Sequence, residues 1–283
     1  MAALPTETEQ ATQEIKADLA GHYAIMPQHI KFLRENGYIK LKNVLRPETI
    51  DFFAKEISAQ VKNLNSLHVP MEQRTTYQKA FLQVMNIWRH SEISKQLVFS
   101  KRLARMAAEL LQVSGVRLYH DQALYKEPGG GITPWHADQY YWPVSSDRTV
   151  TVWIPLQATP HEMGPLAFAR SSHRMAFGRD LEISNDSEAL IQKSLHEAQN
   201  DVEDSPFDLG EVSFHLGWTF HRAGANTSAF PREVMTIIYV DENIRLAPPQ
   251  NKNQEEDRAT WCEGVEIGEI LAGPLNPVLW STN

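Results

Sequence analysis

The chain has 283 residues, 42% hydrophobic and 22% charged, so it can bury a sizeable core as one large domain or two small ones. A formal charge of −8 excludes a surface built to neutralise nucleic-acid phosphates. Apolar runs far short of the ~18 residues of a membrane span exclude that class too, which leaves a small molecule as the expected partner.

Residues 1–25 are polar and weakly periodic, and read as a tail or loosely docked helix; 26–283 read as a single domain. Met1 to Glu9 lacks the basic start and apolar stretch of a signal peptide. The single cysteine, Cys262, rules out an intrachain disulfide framework and a Cys-rich metal site, and fits a reducing, cytoplasmic setting. A short helix at Gln28 to Glu35 stops at Asn36-Gly37 and gives way to an extended Tyr38 to Leu41. Pro47 opens an amphipathic helix carrying Ile50, Phe53, Ala54, Ile57, Val61 and Leu64. Phe81 to Trp88 reads as a strand or a lining segment, and helices follow at Glu92 to Phe99 and Lys101 to Leu111.

From Val116 onward the pattern is that of strands. Leu118 to Tyr125 leads into the loop Gly129-Gly130-Gly131, and Thr149 to Leu156 is a β-branched, buried strand. A turn at Thr159 to Gly164 precedes a strand at Pro165 to Ala169. Ser187 to Asn200 is a polar helical insertion. Strands recur at Glu211 to His215, Thr219 to His221 and Glu233 to Tyr239, and the segment after Asp241 is loop-rich. Helices followed by many short strands predict an α+β chain ending in a sandwich or small barrel.

His136 and Asp138, two residues apart, share one side of a strand if extended, and could grip one metal. His221, 85 residues after His136, is a candidate third ligand. Two imidazoles and a carboxylate that leave metal positions open are the donor set of non-haem Fe(II) enzymes. Arg232 offers a planar fork for a carboxylate.

The order H-x-D, a long gap, H, and then R eleven positions later resembles the phytanoyl-CoA dioxygenase family. Phe32 to Tyr38, Trp135-His136-Ala137-Asp138, Gly164-Pro165-Leu166 and Ser172-His173 add to the match, which spans roughly residues 28–245. The resemblance implies a double-stranded β-helix (jelly-roll, cupin-like) core with N-terminal flanking helices, Fe(II) on His136, Asp138 and His221, and 2-oxoglutarate as cosubstrate on Arg232. It also implies that O2 oxidises a C–H bond of a small organic metabolite, such as a natural-product intermediate, with release of succinate and CO2. Asp138 keeps the carboxylate that related halogenases lack.

Other residues carry two readings. Thr151 and Trp153 wall a cosubstrate pocket or pack the core; Gln122, sharing a face with Leu124, bonds cosubstrate or substrate. Tyr140, Tyr141 and Trp142 cover the substrate or are structural aromatics. Lys126 reads as a solvated charge, His215 as core packing or support for a metal ligand, and His120 has no assigned role. Desaturation, cyclisation or epimerisation are alternative outcomes on the same scaffold. A non-catalytic metal- or 2-oxoglutarate-binding β-sandwich is the alternative from another class. A zinc hydrolase leaves Arg232 without a purpose.

Overall fold

The computed structural model describes residues 7–283, starting with α1 (Glu7–Ala20) and α2 (Pro27–Asn36). Pro27 takes the first helical position, where its missing N–H is no loss, and Gly37 ends α2 at φ +85 with its amide on the Leu33 carbonyl. Next come β1 (Tyr38–Leu41) and α3 (Pro47–Leu64), which buries Ile50, Phe53, Ile57 and Val61 along one stripe. Then follow α4 (Thr76–Ala80), β2 (Leu82–Met85), α5 (Glu92–Val98) and α6 (Lys101–Leu111). Ser91 and Ser100 cap α5 and α6 by accepting the amides of Ser94 and Leu103. The first six residues of the segment 1–25 lie outside the described residues. Within α1, Ile15, Asp18 and Leu19 are buried, and Asp18 pairs with Arg102 of α6.

The strand-rich part comprises β3 (Gly115–Lys126), β4 (Thr133–His136), β5 (Thr149–Pro155) and β6 (Leu166–Ala169). After α7 (Asn185–Glu197) come β7 (Val202–Glu203), β8 (Val212–Leu216), β9 (His221–Ala223) and β10 (Arg232–Asp241), then α8 (Lys252–Trp261) and β11 (Val278–Ser281). They form two antiparallel sheets. The larger runs β1-β8-β5-β10-β3-β11, with β2 pairing the far end of β3; the smaller runs β4-β9-β6-β7. The chain is thus a mixed α/β protein with antiparallel sheets.

Alternation along the strands sorts side chains between the two faces of the larger sheet. Val150, Val152 and Ile154 of β5, Ala123 and Tyr125 of β3, and Met235, Ile237 and Tyr239 of β10 join one core with Phe53 and Ile57 of α3 and Leu103, Met106 and Leu110 of α6. Each fully buried Leu, Ile or Phe there contributes roughly 2 kcal/mol. The intervening residues, Thr151, Trp153, Gln122, Leu124, Arg232 and Thr236, turn the opposite way and line a cavity shared with the smaller sheet.

Two expectations change. Phe81 to Trp88 is both a strand and a lining: β2 pairs with β3, while Phe81, Gln83 and Met85 reach the cavity. The segment after Asp241 is not merely loop, because it holds α8 and β11. α8 has no apolar stripe to betray it, and Gln254 is its one buried residue. Its start is nevertheless marked by Asn251, whose side chain accepts the Gln254 amide.

Gly164 is required where it stands. Its φ is +67, a Cβ there would collide with the Gly224 backbone, and its carbonyl receives Arg232. Gly164→Ala is expected to cost about 2 kcal/mol or more, a fall of roughly 5 °C in Tm by calorimetry.

Candidate metal centre and its cavity

His136 ends β4, His221 begins β9, and the two are paired across the smaller sheet. Their rings lie 4.2 Å apart. Ala137 stays extended, so Asp138 emerges on the same side before the chain tightens into a single turn over Asp138–Tyr141. One ligand atom from each of His136, Asp138 and His221 lies within 4.8 Å of the others, close enough to hold one metal ion. Both histidines sit 3.6 Å from Asp138 Oδ1 through Nε2.

The support around these groups decides which atoms face inward. His136 Nδ1 donates to the Pro134 carbonyl at 2.7 Å and His221 Nδ1 to the Thr219 carbonyl at 3.0 Å, leaving both Nε2 lone pairs free. Burial pushes both imidazoles down to about 4, so they are neutral donors at pH 7. Burial alone would raise the Asp138 carboxyl, but His221, His215 and His136 outweigh it and hold it well below the usual carboxylate range. Its Oδ2 accepts from Thr151 Oγ1 at 3.2 Å and from His215 Nε2 at 3.3 Å. His215, 1% exposed on β8, therefore does more than pack the core: it fixes the carboxylate.

The cavity has a volume of about 550 Å³. Arg232 closes one part of it, 2% exposed, with its guanidinium 5.6 Å from the Trp153 ring centre and Nη1 donating to the Gly164 carbonyl at 2.8 Å. Its Nε has no partner, and no carboxylate pairs with it among the described residues. Burial lowers even this guanidinium to about 10. A buried cation without an anion is costly, and a carboxylate placed in this part of the cavity would relieve that cost.

Gln122, Thr151, Trp153, Tyr141 and Trp142 line this same cavity. Gln122 Oε1 also accepts from Gln83 Nε2 at 2.6 Å, and the Tyr141 hydroxyl accepts the Ile183 amide. Tyr140 does not line it. The turn at Asp138–Tyr141 breaks the strand alternation and sends Tyr140 outward to α8, where its carbonyl accepts from Asn251 and Gln254. Lys126 is not solvated either. It stands opposite Arg232 in the β3–β10 register, fully buried, its Nζ donating to Gly131 O and Thr133 Oγ1. Burial, with Arg232 and Arg222 adding to it, lowers this amine to about 6.

Several lining residues carried no assignment from sequence. His120 lies two positions before Gln122 on β3, so the period of two already places it on the cavity face. Asp257 and Trp261 reach the cavity from α8, a helix without apolar periodicity.

Residues 33–234 match the family described as phytanoyl-CoA dioxygenase, and the chain belongs to that family. It is accordingly an Fe(II)- and 2-oxoglutarate-dependent dioxygenase using O2. It is 24% identical over 218 residues to a probable alpha-ketoglutarate-dependent hypophosphite dioxygenase of Stutzerimonas stutzeri, covering 72% of this chain and 75% of that protein. An ectoine dioxygenase of Bordetella parapertussis is 24% identical over 252 residues, covering 80% and 79%. Among solved structures, the carbocyclase of nogalamycin biosynthesis superposes with a TM-score of 0.73 at 22% identity, covering 92% of this chain and 99% of that one. The epimerase of the same biosynthesis, in complex with Fe3+, alpha-ketoglutarate and nogalamycin RO, gives 0.74 at 23%, covering 89% and 97%. Their fold is the fold of this chain.

Proposed function

We propose that this dioxygenase binds Fe(II) through His136, Asp138 and His221, anchors the distal carboxylate of 2-oxoglutarate on Arg232, and hydroxylates an unactivated C–H bond of a small organic metabolite. The observation that carries this reading is one cavity with a neutral two-histidine, one-carboxylate cluster in its wall and an unpaired, buried arginine beside it. The residues fit both groups: two imidazoles fixed by backbone carbonyls present free Nε2 atoms, and the orphaned Arg232 Nε awaits an acceptor. We further infer that the two sheets are the halves of a double-stranded β-helix, and that 26–283 is one domain.

When bound, Fe(II) supplies oxygen activation coupled to oxidation of 2-oxoglutarate to succinate and CO2. The chain's own residues place the reactants. Trp153 beside the guanidinium keeps water from it, Thr151 and His215 hold Asp138 in one orientation, and Gln122, Tyr141 and Trp142 border the space left for substrate. Ring closure or epimerisation is the second outcome, favoured by the carbocyclase and epimerase among the similar structures; a small shift of the substrate carbon would select it.

The test is succinate formation by purified protein given Fe(II), 2-oxoglutarate and O2. Turnover with Fe(II) and none with Zn(II) supports the reading; equal turnover without added or bound iron contradicts it. His215→Phe fills the same space but removes the hydrogen bond to Asp138. It is expected to weaken Fe(II) binding roughly 10- to 100-fold in an anaerobic titration, with the fold intact by circular dichroism.

A further inference from the structure

The cavity has two ends of opposite character. Apart from Arg232, no lysine or arginine lines it among the described residues. The part bordered by α8 and by the loop before α7 instead presents three carboxylates, Glu182, Glu256 and Asp257, beside the rings of Tyr77, Tyr141 and Trp261. Glu256 has an outside partner in Lys252 at 3.4 Å, and Glu182 accepts from the neutral Asn253.

Asp257 is different. Its Oδ2 accepts from the Tyr119 hydroxyl at 2.6 Å, and no cation pairs with it among the described residues. Burial, the largest influence on it, pushes its carboxyl up to about 7, the behaviour of an acid lacking a counter-charge. His120 forms the adjoining wall, 3% exposed and 5.4 Å from the Trp261 ring, with Nδ1 lacking any hydrogen-bond partner. It is held neutral, down to about 3 by burial, so it adds no positive charge. An uncompensated acid, an unpartnered imidazole and several aromatic rings are the elements that recognise an organic ammonium.

Resting on the reading that the His136–Asp138–His221 cluster is the oxidising centre, we propose that the substrate is a ring-bearing metabolite with a protonated basic nitrogen. That nitrogen is seated at Asp257 and Glu182 beside Trp261 and Tyr77, and a carbon of the same molecule is directed toward the cluster. The bookkeeping of the family reaction is unchanged: R–H, O2 and 2-oxoglutarate give R–OH, succinate and CO2. A carboxylate, phosphate or nucleotide thioester would meet Asp257 and Glu182, with which no cation pairs among the described residues, and is excluded from this end.

Three probes built on the same indole ring isolate the charge: tryptamine as the cation, indole-3-ethanol as the neutral form, and indole-3-propionate as the anion. Calorimetry on the full chain with 2-oxoglutarate, without iron, is expected to show tryptamine binding about tenfold tighter than indole-3-ethanol and the propionate not at all. Asp257→Asn, which keeps the side-chain shape and an acceptor for Tyr119, should bring tryptamine to the level of indole-3-ethanol while 2-oxoglutarate binding persists. Glu182→Gln, an exposed change that leaves the fold alone, should weaken tryptamine alone by a few-fold.

A propionate that binds as well as the amine, a tie among the three whether or not they bind, or an amine preference that survives both substitutions overturns the proposal. Because iron is absent from these measurements, failure here is separate from failure of the metal assignment, which is read from Fe(II) binding by Asp138 variants.

Discussion

Asp138→Ala is expected to abolish succinate formation, with a loss of at least ~10²-fold, because even the groups that merely orient a metal ligand are worth 10- to 100-fold and Asp138 is proposed as a ligand itself. In the metal-free protein the same substitution should cost some stability, because the surrounding histidines hold the Asp138 carboxyl well below the usual carboxylate range, so the fold favours its charge, and Ala leaves Thr151 and His215 without their shared acceptor. A Tm lowered by a few degrees with a cooperative transition retained, together with lost Fe(II)-induced stabilisation, is thus the expected pair of results. Asp138→Glu separates charge from placement: the carboxylate remains but is displaced by one methylene, so residual iron binding with poor turnover is expected.

Arg232→Met acts on the cosubstrate instead. Truncating one partner of a buried charge pair costs about 2–5 kcal/mol, which corresponds to a rise of roughly 30-fold or more in the KM for 2-oxoglutarate. Because the lost contact reaches the end of the cosubstrate away from the chemistry, kcat at saturation should fall far less than kcat/KM. Iron affinity should stay the same. In the ligand-free protein Arg232 is a buried cation with an unsatisfied Nε, so its replacement should leave Tm within a few degrees of the parent, the freed Gly164 carbonyl opposing the relief of charge. What disappears is the stabilisation on adding 2-oxoglutarate, about 2.7 kcal/mol at a hundred times its Kd. Arg232→Lys should fall between, keeping the charge but losing the planar fork.

These effects follow from residues whose chemistry was legible in one dimension. His136, Asp138, His221 and Arg232 carry an order and spacing that few other constraints would produce, and the structure brings the first three to within ligand distance. The alternation of β5 was equally legible, since a strand of period two must send Thr151 and Trp153 to the face opposite Val150 and Val152. The helical stripe of α3 was legible from Ile50, Phe53, Ile57 and Val61. In each case a local periodicity determines which side a residue takes.

Where local periodicity was silent, the reading failed. Lys126 looks like any solvated lysine in sequence, because its burial depends on the loop 129–131 folding back to offer a carbonyl. Tyr140 adjoins Tyr141 and Trp142 in sequence, yet one tight turn separates their directions. His215 reaches Asp138, 77 residues away in sequence, only because β8 lies beside β5 in the larger sheet. α8 escaped notice because it packs by polar contacts to Tyr140 rather than by an apolar face. The acidic, aromatic end of the cavity lies largely on this helix, so the part of the site proposed to select the substrate is the part least visible in the chain.

The measurement that bears most directly on the whole account is the stoichiometry of Fe(II) and 2-oxoglutarate retained by the protein under anaerobic conditions, read by metal analysis and equilibrium dialysis. One of each per chain is predicted, with iron lost in Asp138→Ala and 2-oxoglutarate lost, but iron kept, in Arg232→Met. Full iron retention by Asp138→Ala, or undiminished 2-oxoglutarate binding by Arg232→Met, would contradict the assignment of this cavity as the oxidising site.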